Sequence, residues 1–315
     1  MTRCIALTGG VGGTKLVLGL TQILSPEELL IAVNTGDDFE HLGLTICPDI
    51  DTVLYTLAGI ANPDTGWGRA QESWKTMETL ERLGGETWFR LGDQDLALHL
   101  ARRHQMTLGA TLSEITANLA KKLNIRHPIV PMSDHPVRTM VLTEEGEMPF
   151  QEYFVKNRCL PAINGFRFAG IKSAIPSSKL LRAFEDPALE LLIICPSNPF
   201  ISIDPILKLP GLKKAIENSQ ICVLAVSPIV GGQALKGPTA KMLKELGLKS
   251  DASSIAQHYG KILDGFVIDT KDSSLGKQIR KKGHKVFVTQ TIMKSLDDKV
   301  TLANDILDFA AGISL

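Results

Sequence analysis

A glycine-rich segment near the start of the chain constrains the fold most. Residues 8–15 (TGGVGGTK) contain four glycines and lie directly between an apolar run at residues 4–7 and a helical pattern that begins near Leu16. Glycine has no Cβ and tolerates positive φ, so a loop built from it can turn successive backbone N–H groups toward one anion at a helix N-terminus. The segment therefore predicts a strand, a phosphate-binding loop and a helix, with a nucleotide as the ligand.

The loop departs from two common phosphate-binding motifs. A Walker A loop needs glycine directly before its lysine, whereas Thr14 precedes Lys15. A dinucleotide fingerprint that starts at Gly10 and Gly12 meets Lys15 where the third glycine is needed for close packing of helix on strand. These mismatches disfavour an ATPase and an ordinary NAD-dependent dehydrogenase. A turn that merely joins strand to helix remains an alternative.

Short apolar runs predict the strands of the core, and most are continuous rather than alternating. Such runs are typical of parallel strands covered by helices on both faces. The runs lie at residues 4–7, 29–33, 129–130, 137–142, 189–195, 221–226, 266–268 and 286–288. They predict an α/β fold with a doubly wound, mostly parallel sheet.

The stretch between residues 51 and 124 contains no convincing strand. Its helical patterns lie at residues 52–58, 69–83, 94–104 and 112–123. We therefore predict a core formed by residues 1–51 and 125–315, and a helical insertion subdomain at residues 52–124.

Composition excludes several classes of protein. The 315 residues are 44% hydrophobic, enough for a full core, and lysine plus arginine equal aspartate plus glutamate at 34 each. This balance gives no overall field toward nucleic acid or an anionic membrane. No apolar run reaches the ~18 residues that span a bilayer, and the chain starts without a basic and apolar leader. We expect a cytoplasmic protein that acts on small molecules.

Polar residues follow several of the predicted strands, at the sheet edge where α/β proteins bind ligands. These segments are residues 34–38, 131–134, 196–199 and 227–232. Four carboxylates, Asp37, Asp38, Asp49 and Asp51, are oxygen ligands of the kind that Mg²⁺ takes together with substrate phosphates. Helix N-caps at Asp49 and Asp51, and turn formation at Asp37 and Asp38, are the alternatives.

Two other residue types leave the chemistry more open. Arg90 stands at a loop-to-helix junction and is either a clamp for a phosphate or ring edge, or a solvated surface arginine. His99 and His104 are five residues apart, off the spacing that would place both on one helix face for zinc. The sequence predicts no zinc site and no catalytic triad.

Eight motifs in order along nearly the whole chain carry a resemblance to a known family. They are GGVGG at 9–13, NTGDD at 34–38, CPDIDTVLY at 47–55, GWG at 66–68, LGD at 91–93, PMSD at 131–134, PSNP at 196–199 and SPI at 227–229. The chain resembles the 2-phospho-L-lactate and phosphoenolpyruvate transferases of coenzyme F-420 biosynthesis. The PDIDT, LGD and PSNP segments are far more specific than the glycine loop.

The resemblance implies a fold and a reaction. The implied fold is a Rossmann-like core with a helical subdomain, usually in a homodimer. The implied reaction is a Mg²⁺-dependent transfer of a phosphoenolpyruvyl or phospholactyl group from a guanosine diphospho-donor to the hydroxy-deazariboflavin Fo, with release of GMP. Whether the donor carries enolpyruvate, lactate or glycerate stays open.

The resemblance also implies roles for residues of this chain. Asp51 and Arg90 match the acceptor-binding aspartate and arginine, and Met132 and Ser133 are added as acceptor-site candidates because they follow a predicted strand. Asp37 and Asp51 match the expected metal carboxylates and are the candidate catalytic residues. The donor nucleotide is expected on Gly9, Gly10, Gly12, Gly13, Thr14, Lys15, Ser197, Asn198 and Ser227.

One other class of protein stays open at this point. A non-catalytic regulatory protein that binds a nucleotide or nucleotide-sugar can share the glycine loop and the sheet, because fold does not determine function. Such a protein has no need of Asp51 and Arg90 together with an insertion able to cover a flavin-like ring.

Overall fold

A sheet of seven parallel strands forms the middle layer of the protein, in a computed structural model that describes residues 3–234 and 237–314. The strands in the described residues are β1 (Cys4–Thr8), β2 (Leu29–Val33), β3 (Phe39–His41), β4 (Leu44–Ile46), β5 (Ile129–Pro131), β6 (Arg138–Thr143), β7 (Gly146–Pro149), β8 (Ile163–Ala169), β9 (Leu191–Ile194), β10 (Cys222–Val226), β11 (Ile229–Val230), β12 (Gln233–Ala234), β13 (Gly265–Asp269) and β14 (Lys285–Thr289).

The order of the strands places the ligand-binding crevice. Across the central sheet the order is β14-β13-β10-β9-β1-β2-β5, and every neighbouring pair is parallel. The chain builds outward from β1 in one direction and from β9 in the other, so the topological switch point lies between these two strands. Open α/β sheets bind ligands beyond the carboxyl ends of the strands at such a point. The predicted α/β class with a doubly wound, mostly parallel sheet is confirmed.

Helices cover both faces of the sheet. The described helices are α1 (Val11–Ile23), α2 (Pro48–Leu57), α3 (Lys75–Arg82), α4 (Asp93–Thr107), α5 (Leu112–Lys122), α6 (Ser178–Ala183), α7 (Asp204–Leu207), α8 (Leu212–Ser219), α9 (Thr239–Glu245), α10 (Ala252–Tyr259), α11 (Gly276–Lys281) and α12 (Leu296–Ser314). Short π turns lie at Glu152–Lys156 and Pro199–Ile203, and 3₁₀ turns at Ile171–Ser173, Gly260–Ile262 and Thr270–Leu275. None of these described helices is both long and apolar enough to cross a bilayer.

Successive residues of the central strands contribute to two separate cores. In β1, Ile5 and Leu7 pack into one core, whereas Cys4 and Ala6 pack into the other on the opposite face. Side chains alternate between the faces of a strand, so a strand covered on both faces reads as one continuous apolar run. This is why the central strands were visible in the sequence.

The apolar run at residues 137–142 belongs to a different sheet. It forms β6, the middle strand of an antiparallel sheet of order β7-β6-β8, and its residues alternate between buried and half-buried. The sequence pattern did not indicate β7 or β8. Only one face of β8 is well buried, and its segment Ile163–Ala169 carries Gly165 and a charged Arg167 between the apolar residues.

The region between residues 51 and 124 consists mainly of helices. It holds most of α2 and all of α3, α4 and α5, with one isolated β-bridge between Ala61 and Arg69. Leu44, Ile46, Met77 and Leu91 form a small third core between the β3–β4 hairpin and this region. The division into a core and an insertion subdomain at residues 52–124 stays a prediction.

Replacing Gly19 by alanine should destabilise the fold. Gly19 lies where α1 packs on α12, and an added Cβ would overlap the backbone carbonyl of Lys299. Overpacking of this kind costs about 1–3 kcal/mol. Urea unfolding of Gly19→Ala should show that loss in the free energy of unfolding.

Gly312→Ala is the matched control, because Gly312 is an exposed helical glycine with open space around its Cβ position. It should leave stability unchanged or raise it by up to about 1 kcal/mol. Equal stability of Gly19→Ala and the wild type would contradict the close packing of α1 on α12.

Candidate functional site

The glycine loop joins β1 to α1 at the switch point of the sheet, and its glycines are required by close packing. None of its four glycines adopts a positive φ, so the conformational freedom suggested by the sequence is not the reason for them. A Cβ on Gly12 would stand 2.5 Å from the carbonyl oxygen of Pro196, and one on Gly13 would overlap the Ser197 hydroxyl. The loop lies directly against the segment that follows β9.

The first turn of α1 has backbone donors that no N-cap side chain satisfies. Gly10 is the N-cap residue and makes no side-chain capping bond. The Thr14 hydroxyl donates to the Gly10 carbonyl at 2.5 Å, and the Lys15 ammonium lies 3.4 Å from the carbonyl of Met293. A helix N-terminus with this geometry binds anions such as phosphate.

Asp49 lies against the glycine loop. Its carboxylate accepts a hydrogen bond from the Asn34 side chain at 2.9 Å, and a Cβ on Gly10 would stand 2.5 Å from Asp49 Oδ1. Burial raises the pKa of Asp49 to about 6, against hydrogen bonds from Asn34 and from the Gly10 backbone. A buried carboxylate therefore adjoins the loop that is suited to bind phosphate.

Asp37 and Asp38 follow the end of β2. Together with Asp49 and Asp51 they are called the acidic cluster. Burial, followed by the negative charges of Asp49 and Asp38, raises the pKa of Asp37 well above its usual range. Burial also raises the pKa of Asp38 to about 7, although Arg138 and a hydrogen bond from Cys47 oppose the rise. Oδ1 of each residue is buried without a hydrogen-bond partner.

Asp51 lies in the first turn of α2 and forms a buried ion pair. The N-cap of α2 is Cys47, so neither Asp49 nor Asp51 is a capping residue. Arg102 of α4 donates to Asp51 Oδ1, and both side chains are almost fully buried. The second oxygen, Oδ2, has no hydrogen-bond partner and lies 3.7 Å from His99 Nδ1.

The acidic cluster meets some but not all of the requirements of a metal site. Its buried carboxylate oxygens without donors are hard ligands of the type that Mg²⁺ prefers. Among the residues that the structure describes, no three acidic, histidine or cysteine side chains converge on one point. Mg²⁺ usually takes one or two protein carboxylates and completes its shell with phosphates and water. Asp37 interacts most strongly with Asp49 and Asp38, while Asp51 acts on Asp38.

A cavity of about 240 Å³ opens beside the acidic cluster. Aromatic side chains and Arg138 form much of its wall, and the polar floor includes Asp37 and Asp38. Its described lining is Gly36, Asp37, Asp38, Phe39, Glu40, Trp88, Arg138, Thr139, Met140, Pro149, Phe150, Gln151 and Glu152. Phe39 and Trp88 are ring neighbours, with centroids 5.8 Å apart. The cavity offers flat apolar surfaces next to carboxylates.

The predicted donor residues after β9 and β10 lie near the loop but also hold the backbone in place. The Ser197 hydroxyl accepts a hydrogen bond from the Gly9 N–H at 3.0 Å. Asn198 caps the π turn through the Phe200 N–H, and the Ser227 hydroxyl donates to the Ile229 carbonyl at 2.8 Å. Ser197 therefore joins the switch-point strands β1 and β9 through the loop itself.

The predicted acceptor residues other than Asp51 occupy different surroundings. Met132 and Ser133 are fully buried, and the Ser133 hydroxyl donates to the Ile175 carbonyl at 2.6 Å. Arg90 is exposed and stacks on Trp74, with its guanidinium carbon 4.6 Å from the ring centroid. Neither Met132, Ser133 nor Arg90 lines the cavity described above. Their role in acceptor binding stays a prediction.

Several site residues were missed in the sequence. Arg138 and Trp88 line the cavity, and Arg102 pairs with Asp51. The sequence did contain a signal for Arg102, because Asp95, His99 and Arg102 follow the i, i+4, i+7 spacing of one helix face. Trp88 and Arg138 have no local signal, since the fold brings a loop and the start of β6 together from distant parts of the chain.

The fold and the site together define an α/β protein with a phosphate-binding loop beside buried carboxylates and an aromatic-walled cavity. The family model for 2-phospho-L-lactate transferase CofD matches residues 4–304. The chain belongs to the 2-phospho-L-lactate transferase family, a family of transferases.

Curated relatives match over almost the full length of the chain. A phosphoenolpyruvate transferase of Streptomyces coelicolor is 36% identical over 317 residues, which cover 99% of each protein. A 2-phospho-L-lactate transferase of Methanocaldococcus jannaschii is 37% identical over 311 residues, 98% of each.

A solved structure supports the fold alone. A Bacillus halodurans protein of the UPF0052 family superposes with a TM-score of 0.62 at 15% identity, over 97% of this chain and 98% of its own.

The resemblance inferred from the motifs is confirmed by the match to the family model.

Asp38 makes the stability of the folded protein depend on pH. Between its ordinary pKa of 3.8 and about 7, folded Asp38 retains a proton that the unfolded chain has released. The free energy of unfolding from this group is therefore largest below this range and falls as pH rises through it. A pKa difference of one is worth about 1.4 kcal/mol. As pH rises from about 4 to 8, the free energy of unfolding of Asp38→Asn should therefore increase by on the order of 4 kcal/mol relative to that of the wild type.

Urea unfolding of both proteins at the two pH values measures this difference. Asp308→Asn, on the exposed face of α12, provides the matched control and should follow the wild type. Parallel pH dependence in Asp38→Asn and the wild type would show that the Asp38 pKa is not raised.

Proposed function

We propose that this protein transfers a phosphoenolpyruvyl or phospholactyl group from a guanosine diphospho-donor to the deazaflavin Fo. GMP leaves, and the product is coenzyme F-420-0 or its dehydro form. The observation that carries the proposal is the juxtaposition of the glycine loop, the acidic cluster and the aromatic-walled cavity at one sheet edge. Relatives called phosphoenolpyruvate transferase and 2-phospho-L-lactate transferase, similar along the whole chain, support the reaction class.

The glycine loop is the proposed site of the donor diphosphate. The N–H groups at the start of α1 would bind the phosphate oxygens, and the absence of Cβ atoms lets those oxygens approach the backbone. Transfer of a phosphoryl group needs positioning and charge neutralisation more than covalent help from the protein. Ser197, Asn198 and Ser227 lie at neighbouring strand ends, where the guanosine would extend.

Magnesium is the proposed partner of the donor, held by Asp37 and Asp51 as the family resemblance implies. When bound, the ion would neutralise the diphosphate and the excess charge of the acidic cluster. Burial, and after it the negative charges of Asp49 and Asp38, raises the pKa of Asp37, and this supports a cation here because neighbouring buried carboxylates are costly without one. Asp49, which adjoins the loop, would lie close to the same ion.

The cavity beside Asp37 and Asp38 is the proposed acceptor site. The flat ring of a deazaflavin fits against Phe39, Trp88 and Phe150, which supply aromatic surface. Carboxylates accept hydrogen bonds, so they suit the hydroxyl-bearing side chain of the acceptor. We further propose a homodimer, on the family resemblance.

Asp51→Asn should abolish turnover, and thermal unfolding measures the folded fraction of the variant, because the substitution leaves the buried Arg102 without its counter-charge. The substitution keeps the shape of the side chain but removes the negative charge that the reaction requires at this position. Incubation with Fo, the guanosine donor and Mg²⁺, followed by mass spectrometry of the product, measures turnover. Asp308→Asn should retain wild-type activity as the matched control.

Three outcomes of that assay are distinct. Product from the wild type and none from Asp51→Asn supports the mechanism. Full activity of Asp51→Asn removes this residue from it. Nucleotide binding without any product, in the wild type, would favour the non-catalytic regulatory alternative.

Trp88→Ala should weaken Fo binding. Stacking of a heteroaromatic ring on an aromatic side chain is worth about 1–3 kcal/mol, so the Kd should rise by about 5- to 150-fold. Titration followed by the fluorescence of Fo measures the Kd.

Two further variants locate the acceptor. Trp67→Ala is the control, because Trp67 is 56% exposed and does not line the cavity. Arg90→Ala tests the assignment made from the sequence. An unchanged Kd in Trp88→Ala, together with a raised Kd in Arg90→Ala, would place Fo outside the cavity.

A further inference from the structure

A buried row of polar side chains joins α2 to α4, and we name it the polar seam. Its members are Asp51 and Tyr55 on α2 and Asp95, His99 and Arg102 on α4. The spacing i, i+4 on α2 and i, i+4, i+7 on α4 aligns the two sets along facing helix surfaces. Arg102 is among the largest fully buried side chains of the described residues, at 1% exposure.

Arg102 makes three contacts that fix its guanidinium. It donates to Asp51 Oδ1, it donates from Nη1 to the Thr45 carbonyl at 3.1 Å, and the same nitrogen lies 3.0 Å from His99 Nδ1. These partners come from α2, β4 and α4 itself. The guanidinium is thereby held in one orientation relative to Asp51.

The contacts also determine which nitrogen of His99 carries the proton. A guanidinium has donors only, so His99 Nδ1 must accept from Arg102. The proton then lies on Nε2, which is 3.2 Å from Asp95 Oδ1 but does not meet the geometry of a hydrogen bond. Asp95 Oδ1 also accepts the Tyr55 hydroxyl at 2.5 Å, which joins the helices a second time.

The polar seam binds one oxygen of Asp51 and leaves the other without a hydrogen bond. Oδ1 is paired with Arg102, whereas Oδ2 is buried and has no donor. Arg102 contacts this carboxylate through one nitrogen, Nη2, whose own position is fixed by the contacts of Nη1 with Thr45 and His99. If Asp51 only stabilised the folded protein, hydrogen bonds to both of its carboxylate oxygens would serve that role better than a bond to one.

We propose that Arg102 is a positioning residue that holds Asp51 in the orientation required for transfer, with His99 and Asp95 supporting the guanidinium. This inference rests on the proposed function of Asp51. Arg102 itself contacts neither substrate nor ion in this proposal. Misplacement of a reacting group by about 1 Å costs on the order of 10²-fold in rate, which sets the expected size of the effect.

Kinetics of Arg102→Met and Arg102→Lys test the proposal. Arg102→Met should lower kcat on the order of 10²-fold while KM for the donor stays within about threefold. Arg102→Lys, which keeps the charge, should recover part of kcat.

Arg103→Met is the matched control, since Arg103 is the exposed neighbour of Arg102, and it should leave kcat unchanged. A wild-type kcat in folded Arg102→Met would overturn the proposal. So would a loss of activity in Arg102→Met that equals its loss of folded protein. Thermal unfolding of each variant measures the folded fraction.

A crystal structure of Arg102→Lys tests the positioning role without any activity measurement. The Asp51 carboxylate should leave its wild-type orientation or occupy more than one. An unchanged, fully ordered Asp51 would overturn the proposal. Absence of turnover in the wild type would instead contradict the proposed function, and the crystallographic result would still decide the role of Arg102.

Discussion

The contact between the glycine loop and the end of β9 is the constraint on which the site depends. Pro196 and Ser197 lie so close to Gly12 and Gly13 that no other residue fits in the loop at these positions. The same contact places the start of α1 at the switch point between β1 and β9, where backbone donors face the crevice. Once the loop is seated there, the strand ends around it must supply the remaining chemistry.

The acidic cluster is costly to the folded chain and therefore indicates function. Burying ionised carboxylates without a compensating charge is strongly unfavourable, and the raised pKa values of Asp37, Asp38 and Asp49 are consequences of that cost. Asp51 is treated differently, because Arg102 provides it with a buried counter-charge. The site thus combines three acids whose pKa values are raised by burial with Asp51, which is paired with Arg102 at one oxygen and has no hydrogen bond at the other. Such division suits a transfer reaction in which a diphosphate must be neutralised and a hydroxyl oriented.

Much of the fold was predictable because the central strands are buried on both faces. Residues 29–33 were bounded correctly, and β1 extends only to Thr8 beyond the predicted run, since continuous apolar segments leave little choice of structure. The antiparallel strands β7 and β8 escaped prediction because few of their residues are buried: none in β7, and only Ile163 and Phe168 in β8. The helix α2 begins at Pro48, ahead of the expected residue 52, because proline suits the first turn of a helix.

The site was predictable where its chemistry is local and not where it depends on tertiary contacts. The glycine loop and the acids after β2 follow directly from sequence and strand position. Trp88 and Arg138 share a cavity wall although 50 positions of sequence separate them, and no spacing rule joins such residues. The reason for the loop's glycines, close packing rather than positive φ, likewise required the positions of Pro196 and Ser197.

A crystal structure of the protein with GMP, Fo and Mg²⁺ tests the central claim most directly. The account predicts the phosphate of GMP on the N–H groups at the start of α1, between the ends of β1 and β9. It also predicts the ion at about 2.1 Å from a carboxylate oxygen of the acidic cluster. A nucleotide bound away from the glycine loop, or an ion remote from Asp37 and Asp51, would contradict it.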